Sequence, residues 1–115
     1  MYRFANDISP YAHIGPGLFL PHPVDVTIGA SAVIGRNATI YNGVTIVGIE
    51  TPQLPHLGDN VTVYTGAKII KGVTIGDNSV IGALTLCNKD VPSHSIMYGI
   101  PPNVTITPNK EVPAS

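Results

Sequence analysis

Residues 57–81 read LGDNVTVYTGAKIIKGVTIGDNSVI, and within them Leu57, Val63, Ile69, Ile75 and Ile81 recur at every sixth position. Working outward toward the N-terminus, Ile28, Ile34, Ile40 and Ile46 keep the same step, and beyond two extra residues so do Ile8, Ile14 and Leu20. An amphipathic helix repeats its apolar stripe at about 3.6 residues and a half-buried strand at two, so neither places branched aliphatics at every sixth position. The period is that of a repeat architecture.

A second column supports it. The fourth residue after each anchor is mostly small or apolar, namely Ala12, Leu18, Val24, Ala32, Ala38, Val44, Val61, Ala67, Val73, Ser79 and Thr85. Both columns are expected to face inward. Gly follows the anchor directly at 15, 29, 35, 58, 76 and 82, and Gly or Asn recurs two places later at Gly17, Asn37, Gly43, Asn60, Gly66, Gly72 and Asn78. These residue types tolerate the positive φ of a tight corner. A short strand and a corner every six residues close a triangle in about 18 residues, and triangles stack about 4.8 Å apart through backbone hydrogen bonds. The twelve anchors predict an all-β parallel helix of about four triangular coils.

Two stretches break the period, and breaks in a rigid solenoid are where function concentrates. Pro21–Thr27 contains His22, and VGIETPQLPH at 47–56 reads as an extruded loop. After Cys87 the repeat is lost in a proline-bearing segment expected to end the helix and pack back over it. The β-helix domain is expected over 1–106 and a disordered tail over 107–115.

The bulk numbers fit this reading. Of 115 residues only 11% are charged and 6% aromatic, against 12 Gly and 11 Pro, so aliphatic side chains must build the interior. A net charge of −1 without a basic cluster gives no electrostatic footprint for nucleic acid or an anionic membrane. No apolar run has the length of a signal peptide or a membrane span, so a soluble, cytoplasmic protein is expected. The single cysteine, Cys87, is expected to be a small buried hydrophobe.

Segments such as IGRNATI, LGDNVTV and IGDNSVIG resemble the hexapeptide-repeat transferases. That resemblance implies a left-handed β-helix, although parallel crossovers are otherwise right-handed, and it implies a homotrimer. Over residues 6–102 the chain is similar to the catalytic domain of the serine acetyltransferases and their sugar-directed relatives, carried by DISPYAHIGPGLFLPHPVDVTIGASAVIG. The likeness implies acetyl-CoA as cosubstrate, His22 as general base and Asp7 as the carboxylate that orients it. A hydroxyl attacking a thioester needs such a base, which contributes roughly 10²- to 10⁴-fold. For the donor, TGAKII, IGDNSVIGALTLCNKDVP and YGIPPN resemble the family's coenzyme A groove, and imply that Thr65 and Ala83 line the pantetheine arm while Lys89 reaches the phosphates. Thr65 and Ala83 each stand two residues after an anchor and should stack directly.

Some positions depart from the family. Pro21, Gln53 and Leu54 stand where serine-directed members carry an Asp and an Arg-His pair, so a sugar hydroxyl is expected as acceptor in preference to serine. His56, two residues past the missing histidine, is a candidate substitute. Asn103, in GIPPN, replaces the family's terminal Arg or Lys. A catalytically inactive or structural β-helix is the competing reading. Walker, GxSxG and GxGxxG motifs are absent. The histidine spacing of the gamma-class carbonic anhydrases is not met by His13, His22, His56 and His94, and no metal is expected.

Overall fold

The computed structural model describes residues 6–48, 53–100 and 103–109. It is a left-handed parallel β-helix of hexapeptide repeats, with three sheets forming the faces of a triangular prism. The first face stacks Asp7–Ile8, Thr27–Ile28, Thr45–Val47, Lys68–Ile70 and Leu86–Cys87. The second stacks His13–Ile14, Val33–Ile34, His56–Leu57 and Thr74–Ile75, with Val91 bridging Ile75. The third stacks Thr39–Ile40, Thr62–Val63, Val80–Ile81 and Ser95–Tyr98, with Phe19 bridging Thr39 at its start.

Register follows the anchors. Ile28 lies beside Ile46 and Ile46 beside Ile69, Ile34 beside Leu57, and Ile40 beside Val63 and then Ile81. Each buried anchor therefore rests on another of nearly the same shape, and burying such a side chain stabilises by about 1.5–3 kcal/mol. From Ile28 to Ile81 every anchor is buried. Ile8, Ile14 and Leu20 in the first coil are only half-buried against that core.

The corners explain the Gly and Asn columns. Between the second and third faces Asn37, Asn60 and Asn78 lie one above another with φ of 57°, 58° and 60°. Each donates its amide to the adjacent coil, to Pro16, Arg36 and Asp59 carbonyls at 2.8–2.9 Å. Carboxylates reinforce this corner, Asp59 Oδ1 accepting from the Arg36 amide and Asp77 Oδ1 from the Asp59 amide. Gly35 is required for another reason, since a Cβ there would meet the Gly58 carbonyl oxygen at 2.6 Å and its carbon at 2.7 Å.

Two expectations change, the inward place of Val24 and the start of the tail, while the four coils hold. Val24 is 41% exposed and Val26 takes the inward place, because the two extra residues turn through Asp25 at φ 58° and the inward register resumes two residues before Ile28. Four regular coils are followed by an irregular turn of the same cross-section. Its interior is Cys87, Val91 and Met97, all buried, with the second side shortened by two residues. The chain then packs back, Thr105–Pro108 running antiparallel to Ser95–Tyr98. Ordered structure thus extends past residue 106, with Thr107 and Pro108 in that strand and Asn109 buried. The remainder of the expected tail, 110–115, lies outside the described residues, as do 49–52 of the extruded loop and Pro101 and Pro102.

Cys87 is buried as expected, and its thiol donates to the Lys89 carbonyl at 3.4 Å. Burial pushes the thiol up to about 11, opposed by that hydrogen bond and assisted by the charge of Asp90. The thiol stays protonated at neutral pH.

Gly35→Ala should lower stability by about 1–3 kcal/mol through overpacking against the next coil, read as a reduced urea midpoint at unchanged slope. Native Cys87 should resist iodoacetamide at pH 8 and react only as fast as the helix opens, measured by mass spectrometry against a denatured control.

Candidate active site

The first break in the period builds a bulge at the corner between the third and first faces. The Val24 amide donates to the His22 carbonyl at 2.7 Å, closing a tight turn, and Asp25 supplies the left-handed residue that returns the chain to the strand. Asn6 fastens this bulge from the strand beside it. Its side-chain amide donates to the Pro23 carbonyl at 2.8 Å, and its Oδ1 accepts from the Val26 amide at 2.9 Å. The neighbouring Asp7 amide donates to the Val26 carbonyl at 2.8 Å. His22 is thereby held, exposed, on a stapled loop whose foot is the strand carrying Asp7.

Asp7 is exposed at the head of the first face, beside Thr27. Among the described residues no hydrogen bond or ion pair joins its carboxylate to the His22 imidazole. The neighbour of His22 is aromatic: the Tyr41 ring lies 6.3 Å from the imidazole, centroid to centroid, tilted by 44°. Tyr41 in turn stacks on Tyr64 at 4.8 Å and 22°.

Along the same corner run Asn42, Thr65 and Ala83, each two residues past an anchor on the third face. The Gly66 amide donates to the Asn42 carbonyl and the Leu84 amide to the Thr65 carbonyl, both at 2.9 Å, so Thr65 and Ala83 stack as the spacing predicts. Both are exposed. The Thr65 hydroxyl donates to Asn42 Oδ1 at 3.1 Å. A cation also stands here: Lys68 Nζ donates to the Gly43 carbonyl at 2.8 Å and to Thr45 Oγ1 at 3.3 Å.

Lys89 is not brought to this corner. It follows the first-face strand Leu86–Cys87 and precedes Val91 on the second face, so it stands at the corner between those faces, exposed and one coil beyond Lys71. The extruded loop leaves from that corner too. Gln53 packs over Gly72, where an added Cβ would meet the Gln53 carbonyl carbon at 2.7 Å, and Leu54 is exposed. His56 lies on the outer side of the second face between Val33 and Thr74, away from His22. Asn103 is exposed, and its amide donates to the Ile100 carbonyl at 2.8 Å.

Asn6, Tyr41 and Tyr64 were not singled out from the sequence. A signal exists for the tyrosines, since each directly follows an anchor, Ile40 and Val63, that the repeat pairs on adjacent coils.

Comparison with known proteins agrees with the fold. Residues 55–89 match the family model of the bacterial transferase hexapeptide of six repeats. A serine acetyltransferase of Bacillus pumilus is 37% identical over 109 residues, covering 92% of this chain and 50% of that protein. The crystal structure of Neisseria gonorrhoeae serine acetyltransferase superposes with a TM-score of 0.82 at 34% identity, over 89% of this chain and 40% of that one. A serine acetyltransferase in complex with CoA superposes at 0.80 and 31% identity, over 88% and 41%. The chain spans about half the length of the curated relatives it matches. It is a hexapeptide-repeat β-helix similar, through nearly all of its own length, to part of the serine acetyltransferases.

Proposed function

We propose that this chain transfers an acetyl group from acetyl-CoA to a hydroxyl of a small acceptor, with His22 as the general base. One observation carries the reading: an exposed imidazole is held on a stapled bulge at the head of a ladder of small corner residues, in a fold similar to a CoA-bound acetyltransferase. In this mechanism His22 takes the acceptor proton as the oxygen attacks the thioester carbonyl. The carbon–sulfur bond then breaks, and the proton passes to the departing thiolate. Asp7, on the strand at the foot of the bulge, is assigned to His22 by the family resemblance; since no hydrogen bond joins them among the described residues, its role in fixing the tautomer requires the bulge to shift toward it when the acceptor binds.

The pantetheine arm would lie along Thr65 and Ala83, with Lys89 pairing a phosphate. Since Lys89 occupies a different corner of the same prism, it serves this ladder when a second copy sets its first-to-second-face corner against the third-to-first-face corner of its neighbour. Repeated around a triangular prism, that head-to-tail contact closes as a homotrimer. Use of acetyl-CoA fits a cytoplasmic location. No helix of the described residues is long and apolar enough to cross a membrane.

For the acceptor we favour a sugar hydroxyl. Pro21, Gln53 and Leu54 offer no charge to an amino acid, and Lys68 is already engaged with Gly43 and Thr45. Serine is the second reading, favoured by the substrate for which the relatives are named. Asn103 favours the reading without catalysis.

Incubation with acetyl-CoA and a panel of glycosides and L-serine should release free thiol, and His22→Ala should slow release by roughly 10²- to 10⁴-fold. Release that is absent, or equal in the variant, would refute the mechanism. Asp7→Asn should lower kcat with unchanged affinity for CoA. Asn6→Ala should also lower kcat, with faster hydrogen exchange at the Val26 amide and unchanged affinity for CoA. At 100 times its Kd, CoA should stabilise the fold by about 2.7 kcal/mol; no shift in melting would favour the scaffold reading.

A further inference from the structure

Among the described residues, seven that are not glycine take a positive φ. Asp25, Asn37, Asn60, Asn78 and His94 are of the types that tolerate the left-handed region, and Lys71 is an exposed, charged chain. Leu84 differs from all of them. It is an apolar side chain at φ 60°, in a corner column where Gly43 and Gly66 take φ of 72° and 74° on the two coils before it. Glycine adopts that backbone without a steric cost, and leucine does not. Burial within the chain does not offset the cost, since Leu84 is 63% exposed. Its side chain lies back over Gly66, where an added Cβ would meet Leu84 Cδ2 at 2.6 Å. Gly66 follows Thr65 and Leu84 follows Ala83, so the leucine runs alongside the step between those two exposed, stacked residues.

We propose that Leu84 is a binding residue for the donor, its methyl groups forming an apolar side wall against the pantetheine arm laid along Thr65 and Ala83. The inference rests on the acetyl-CoA reading above. The arm alternates methylene and gem-dimethyl carbons with two amides. When it lies on the ladder, those carbons cover the exposed leucine, and their burial together offsets what the corner backbone costs. Glycine at this corner, as on the two coils before, would relax the backbone and leave the ladder open along that side. A strained, exposed leucine that adds nothing to the core is thus explained by a contact made only with the donor bound.

Calorimetric titration of CoA, and of adenosine 3′,5′-bisphosphate, which lacks the arm, tests the wall without turnover. Leu84→Gly and Leu84→Asn both suit the left-handed corner and should equal or exceed the unmodified protein in urea midpoint. Both should weaken CoA about three- to tenfold, the range expected from partial burial of one leucine side chain, and leave adenosine 3′,5′-bisphosphate unchanged. CoA affinity that is unchanged in both variants overturns the proposal. So does an equal weakening of adenosine 3′,5′-bisphosphate, or a fall in oligomeric mass, which would make Leu84 a contact between subunits. Failure of the unmodified protein to bind CoA removes the acetyl-CoA reading together with the wall, whereas CoA binding that is indifferent to both substitutions removes the wall alone.

Discussion

Every part of this molecule answers to one constraint: parallel coils about 4.8 Å apart must superimpose, atom over like atom, so that each backbone amide finds a carbonyl on the next coil. Superposition demands a corner of fixed length, and fixed corners demand residues that accept positive φ or approach a neighbouring backbone closely. The Asn column and Gly35 meet those two demands separately. Aliphatic anchors of one shape follow, because a stacked interior offers each residue the same hole as the one before.

A rule this strict makes exceptions conspicuous. The two extra residues around His22 cannot be absorbed into a coil, so they leave it and need their own fastening, which Asn6 provides through two hydrogen bonds. At another corner the second break is flanked by Gly48 and Gln53, and Gln53 packs over Gly72. The breaks thus fall at the edges of the prism while its faces remain repetitive, and residues distant in sequence become neighbours: His22 gathers on one edge with Tyr41 and Tyr64, each of which directly follows a third-face strand.

Much of this is readable from the chain alone, because a six-residue period determines strand pairing as well as strand position. The direct stacking of Thr65 and Ala83 needs nothing further. What escapes the period is decided by local geometry. Val26 displaces Val24 because a bulge can rejoin its strand at more than one register, and Asp25 selects the one observed. The last turn hides because a side shortened to four residues still buries Val91. Lys89 lies near Ala83 in sequence but on a different edge, since six residues are one third of a turn and not a whole one. The Asn6 staple leaves no trace in any pattern, being a single side chain reaching across coils.

The difference in burial between the two ends has a dynamic consequence. A solenoid's stability is a sum of local terms between neighbouring coils. Ile8, Ile14 and Leu20 contribute less to that sum than Cys87, Val91 and Met97 at the opposite end. Among the described residues the first coil is therefore the more weakly held of the two ends, and local opening is expected there before the last turn. Asp7 and His22 sit on the part that frays first, so any contact that seals the first coil also steadies the imidazole.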